Sequence, residues 1–169
     1  MPSPAPDRVR ARRRSRAGRR RRARGPGGRA DELARGSQQL ADWLDALPDA
    51  IGVALSKTIL GGFSQGSVMS YALALASDRP SSPAGLIALS GFLPTVEDFE
   101  LDLEAHKGVP VAIGHGTHDP VIPIDFGRDA RERLRAAGLD VTYRESPIAH
   151  TIDPGYIVEL RDWLRRALS

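Results

Sequence analysis

From residue 31 onward the apolar positions fall into alternating blocks of two kinds. Leu33, Leu40, Leu44 and Leu47 recur at helical spacing, and Pro48 is expected to end that helix. Lys57-Thr-Ile-Leu-Gly-Gly-Phe63 is a short, nearly continuous apolar run, the pattern of a strand covered on both faces of a parallel sheet. A helix follows at once, with Val68, Met69, Ala72, Leu73 and Ala76 on one side. Gly85–Ser90 and Val109–Gly114 read as two further buried strands, and Val141–Glu145 alternates like an edge strand. Two more helices are expected. One aligns Phe126, Ala130, Leu134 and Ala137 and closes at Gly138; the other runs from Gly155 to Leu168 with Ile157, Leu160, Leu164 and Leu168 as its stripe. Strand and helix alternate throughout, so the expected fold class is α/β, a mostly parallel sheet wrapped by helices.

The first thirty residues break this pattern. They hold twelve arginines and one acid, Asp7, for a net +11, whereas the remainder carries twelve bases and twenty acids, a net −8. The overall +3 therefore describes two different polymers. Residues 1–30, almost entirely Arg, Ala, Gly and Pro, have too little apolar surface to offset the entropy of ordering, and they are expected to be disordered. An arginine arm could hold nucleic acid or an anionic surface by counterion release. No aromatic residue interleaves with these arginines to stack on bases, so nucleic acid is not the favoured partner. The favoured readings are an inert tail or a mis-set start codon, since GC-rich DNA read out of frame yields this composition. The chain has no cysteine, which excludes disulfides, a thiolate nucleophile and thiolate metal sites. No apolar run approaches the roughly 18 residues of a membrane span. No apolar segment follows the arginines as a secretory leader requires, so a cytoplasmic location is expected.

The candidate chemistry begins at Gly62-Phe63-Ser64-Gln65-Gly66, a G-x-S-x-G pentapeptide between an expected strand and an expected helix. Such a turn forces the serine into strained geometry and leaves its Oγ exposed above the sheet edge. Glycines at positions 62 and 66 are expected to relieve crowding between strand and helix. The following helix presents its N-terminus, where the Gln65 N–H can meet a developing oxyanion. A serine hydroxyl needs a general base, and the base needs an orienting acid, in the order Ser, Asp or Glu, His. Asp119 follows the third expected strand and His150 the fourth, both at carboxyl-end loops, where open α/β sheets place their sites. Their competitors are weaker. Asp125 and Asp153 read as helix caps, Asp129 lies inside a helix, and His106 sits in a charged stretch expected to face solvent. His115 and His118 closely precede the acid, but an i,i+3 pair on a strand end points to opposite faces, and no acidic ligand completes a metal site. Their expected role is packing and hydrogen bonding near the acid loop. Ser67, Ser70 and Ser90 lack the elbow context.

Gly61-Gly-Phe-Ser-Gln-Gly66, Leu89-Ser-Gly91, His115-Gly-Thr-His-Asp-Pro-Val-Ile-Pro123 and Ala149-His150 resemble the phospholipase/carboxylesterase family of α/β-hydrolases, which includes acyl-protein thioesterases. The similarity runs from about Gln38 to the C-terminus. It implies Ser64 as nucleophile, Asp119 as acid, His150 as base and Gln65 as oxyanion donor, with Gly91, Phe92 and Leu93 beside the acyl site. It implies no cofactor and no metal. The expected activity is hydrolysis of small or medium acyl esters or thioesters. The alternative is an inactive fragment whose basic tail binds nucleic acid or anionic surfaces. Ser67 departs from the family, which usually has glycine or alanine there. Family members also begin with strands that complete the sheet and with a His-Gly loop that donates a second oxyanion N–H; here the arginine tract stands in their place. The domain, residues 31–169, is therefore expected to be partial, lacking the usual N-terminal strands. The strand at 57–63 would then form an exposed apolar edge open to aggregation or to pairing with a second copy, and one missing oxyanion donor would cost about 10²–10³ in rate.

Overall fold

The computed structural model describes residues 26–78, 81–95 and 100–169. Four strands form one parallel sheet in the order β1 (Ile59–Phe63), β2 (Gly85–Leu89), β3 (Pro110–Gly116), β4 (Asp140–Ser146). The helices are α1 (Pro26–Ile51), α2 (Gln65–Ala74), α3 (Ile124–Ala136) and α4 (Pro154–Ala167). Of the arginine-rich segment, residues 1–25 lie outside the described residues, and α1 begins at Pro26, a residue suited to the first turn of a helix. The side chain of Leu33 also lies outside them.

Pro48 does not end α1 as expected. It lies in the helix and forfeits one backbone donor, and the chain continues to Ile51. Gly52 makes the real stop: its φ is +69° and its N–H caps the Pro48 carbonyl at 2.8 Å. The stop at Gly138 (φ +86°) falls where the sequence puts it, with Leu139 N–H reaching back to the Leu134 carbonyl at 3.1 Å.

The two faces of the sheet have separate cores. On one, Leu86, Val111, Ile113 and Val141 pack with Tyr71 and Leu75 from the α2 side and with Ala130 and Leu134 of α3. On the other, Ala112 and Leu89 meet Tyr156, Leu160 and Trp163 of α4. The apolar register of α4 therefore departs from the expected stripe, since Ile157 and Leu168 are 44% and 52% exposed. Ile157 and Leu164 instead line an open apolar trough of about 410 Å³ beside β1, with Gly61, Phe63, Ile87 and Ile152. Among the described residues no strand pairs with the outer side of β1 and nothing fills that trough. In α3, likewise, Gly127 rather than Phe126 faces inward; Phe126 is half exposed and tilts against Phe92 at 5.6 Å between ring centroids.

His106 corrects the sequence reading. It is 3% exposed, not solvated, and its Nδ1 lies 2.7 Å from Ser82 Oγ. Charged neighbours suggested solvent, but the short turn Glu104–His106 tucks the ring beneath the loop that leads into β2. Asp125 is a second correction. Pro123 holds the cap position of α3, and Asp125 lies in the first turn, near Arg128 at 3.5 Å. Asp153 does cap α4, accepting the Gly155 N–H at 2.8 Å.

Candidate active site

The site is assembled from the carboxyl ends of β1, β3 and β4. Between β1 and α2, Ser64 has φ +56° and ψ −121°, a backbone conformation that costs a non-glycine residue on the order of 1–3 kcal/mol. It stands at the cap position of α2, yet its side chain makes no capping hydrogen bond. The hydroxyl faces instead toward His150, with Oγ 2.9 Å from Nε2. Its backbone extends the sheet, since Ser64 N–H donates to the Leu89 carbonyl at 2.9 Å.

Glycine is required at one flank of this turn and not at the other. A Cβ on Gly62 would stand 2.2 Å from the Gly66 carbonyl carbon, so strand and helix meet there with no room for a side chain. A Cβ on Gly66 would meet nothing within 4 Å, which removes the steric reason expected for it. The second obligatory glycine is Gly91, whose Cβ would fall 2.5 Å from that of Ser67 and 3.3 Å from the Ser64 carbonyl oxygen. Gly91 thus backs the elbow. Ser67 is fully buried, and its Oγ has no hydrogen-bond partner. Leu93 is only 3% exposed and belongs to the α2–α3 core.

Asp119 lies in the loop after β3 and is 7% exposed. Val121 and Ile122 donate their N–H groups to Oδ1 at 2.8 and 2.9 Å. Oδ2 stands 2.7 Å from His150 Nδ1. Burial pushes this carboxyl upward, but the hydrogen bonds from His150, Ile122 and Val121 outweigh burial and hold it below the usual carboxylate range. An ionised carboxylate can only accept, so Nδ1 carries a proton and Nε2 is left to accept from Ser64. The Phe63 ring lies against the His150 ring at 4.8 Å between centroids.

The acid and base loops are bound to each other as well. Thr117 N–H donates to the Ser146 carbonyl at 2.8 Å, and His118 N–H to the Ile148 carbonyl at 3.1 Å. A Cβ on Gly116 would lie 2.4 Å from the carbonyl oxygens of both Ile148 and Ala149, so this glycine sets how closely the loops approach. Behind His150, Ser146 donates to Asp153 Oδ2 at 2.6 Å, and Arg144 pairs with Asp153 and Glu159. Gly91, Gly116, Phe63 and this Ser146–Asp153 link were not assigned these roles from the sequence. Phe63, Gly91 and Gly116 lie inside the quoted signatures, while nothing in the sequence pointed to the Ser146–Asp153 link. His115 is buried beside the acid, whereas His118 is exposed. Among the described residues no group of three or more His, Asp or Glu side chains is placed to hold a metal ion.

This arrangement sits on a widely shared frame. Residues 27–168 match the family described as Phospholipase/Carboxylesterase. An acyl-protein thioesterase 1 from Gibberella zeae is 32% identical over 121 residues, covering 69% of this chain and 51% of the relative. One from Debaryomyces hansenii is 35% identical over 116 residues, covering 67% and 49%. The chain thus spans about half the length of these curated relatives. Among solved structures, esterase PE8 superposes with a TM-score of 0.68 at 29% identity, over 80% of this chain and 64% of that one. A Bacillus cereus carboxylesterase shares the fold, with a TM-score of 0.70 at 19% identity over 82% and 63%. With the elbow, the acid loop and the base loop all inside the matched span, the chain belongs to the phospholipase/carboxylesterase family of α/β-hydrolases.

Proposed function

We propose that this protein hydrolyses carboxylic esters or thioesters of small to medium acyl groups through an acyl-enzyme on Ser64. The observation that carries the reading is the position of His150, 2.9 Å from the serine hydroxyl on one side and 2.7 Å from the Asp119 carboxylate on the other. His150 Nε2 takes the Ser64 proton as Oγ attacks the acyl carbonyl, and the resulting imidazolium is stabilised by Asp119. The same proton passes to the departing alcohol or thiol. Water then attacks the acyl-serine as His150 takes its proton, and His150 returns that proton to Ser64 Oγ as the acyl–oxygen bond breaks and the carboxylic acid leaves. Gln65, the first residue of α2, offers one N–H that has no partner within the helix, which suits it to the carbonyl oxygen as negative charge develops. No step requires a cofactor or metal.

Among the described residues no helix is long and apolar enough to cross a membrane. A cytoplasmic setting, with the ester or thioester as partner, is part of the same proposal. The test uses a fluorophosphonate probe and turnover of p-nitrophenyl acyl esters of graded length. Labelling and turnover that disappear in Ser64→Ala support the reading. A well-folded chain that neither reacts nor turns over refutes it, and salt-sensitive RNA binding by that chain would favour the basic-tail alternative.

A further inference from the structure

One buried histidine plays no part in the mechanism above. His115, on β3, is 3% exposed, and its Nε2 lies 2.8 Å from the Ile122 carbonyl oxygen. A carbonyl only accepts, so Nε2 carries a proton and donates it. On its other side the same Ile122 gives its N–H to Asp119 Oδ1. The imidazole therefore fastens the turn that fixes the acid. Nε2 is also 3.7 Å from Asp119 Oδ2, the oxygen facing His150.

Two features show what seating this ring costs the fold. Its Nδ1 is buried with no partner, a cost of about 1–3 kcal/mol that a phenyl ring would avoid. Its seat is a glycine within α3: a Cβ on Gly127 would come within 2.6 Å of Nδ1. Glycine inside a helix costs about 0.5–1 kcal/mol relative to alanine, so the helix is weakened to admit the ring.

We propose that His115 is a positioning residue: through Ile122 it holds Asp119 with Oδ1 on the loop amides and Oδ2 on His150. This rests on the acyl-transfer reading and refines it. The test compares His115→Phe, His115→Gln and Gly127→Ala in the full chain, with Asp119→Asn as a second background. His115→Phe is expected to lower kcat on the order of 10²-fold with KM nearly unchanged. His115→Gln, whose amide can donate in place of Nε2, recovers most of that loss. Gly127→Ala reproduces the loss by crowding the ring from the helix side. In the Asp119→Asn background, His115→Phe adds nothing, because the group through which it acts is already disabled. Wild-type kcat in both His115→Phe and Gly127→Ala would overturn the proposal, as would failure of glutamine to rescue or losses that multiply with Asp119→Asn. The low-field proton resonance of His150 Nδ1–H reads the same clasp without turnover, and can be followed in Ser64→Ala. It should vanish with His115→Phe and return with His115→Gln; its persistence in His115→Phe would refute the clasp even if the hydrolase reading also failed.

Discussion

Asp119 is where charge, burial and the proposed acyl transfer meet. Its folded carboxyl is held below the usual range, so it favours the folded state above that range, and the contribution is lost as pH falls through the depressed value. Asp119→Asn should therefore flatten the acid limb of stability, visible as a thermal midpoint that changes less between pH 6 and about pH 3. The same substitution removes the acceptor that orients His150, and ester turnover should fall on the order of 10⁴-fold. Ser67 offers the opposite case. Its hydroxyl is buried without a partner beneath the elbow, so Ser67→Ala removes a desolvated group and leaves the packing intact. It should stabilise the fold by about 1 kcal/mol with unchanged kcat, as measured by urea denaturation and by ester turnover.

At the scale of elements, the β1–α2 turn separates two glycines that look equivalent in the motif. Gly62 lies where strand and helix backbones touch, and Gly66 faces open space. Gly62→Ala should destabilise by roughly 3 kcal/mol or abolish folding, because backbone must move to admit the methyl group. Gly66→Ala should change stability by less than about 1 kcal/mol, since alanine favours the helix it enters. Equal denaturation midpoints for the two variants would contradict this steric account. The motif itself was legible because it joins a short apolar strand run to a longer apolar run of helical length. The distinction within it was not, since Gly62 meets the helix backbone at Gly66 and Ser67 only after the chain turns back on itself. His106 makes the same point. Its neighbours are charged, and only the fold brings Ser82 to 2.7 Å.

For the molecule as a whole, the described sheet ends at β1, and the face of α4 nearest that edge carries Ile157 and Leu164 over an apolar trough that no described residue fills. An unpaired strand beside exposed apolar surface favours association. Concentration-dependent self-association is therefore expected in sedimentation or light scattering, and Ile157→Lys should weaken it while sparing turnover. A chain that stays monomeric at high concentration, with or without the lysine, would show that this edge is otherwise satisfied.

Local periodicity was enough to place the four strands and to alternate them with helices, because parallel strands covered on both faces write continuous apolar runs. It also set Ser64, Asp119 and His150 at strand ends, since the first two follow such runs and His150 follows the alternating edge strand. The inward face of α4 was decided elsewhere: Tyr156 and Trp163 became buried because the sheet lies under them, while Ile157 did not. The His115–Ile122 bond lies within one loop, where hydrogen bonding was expected from the sequence, but the close approaches at Gly91 and Gly116 were tertiary too. They depend on contacts between segments that only the packed sheet brings together, and spacing along the chain carries no record of them.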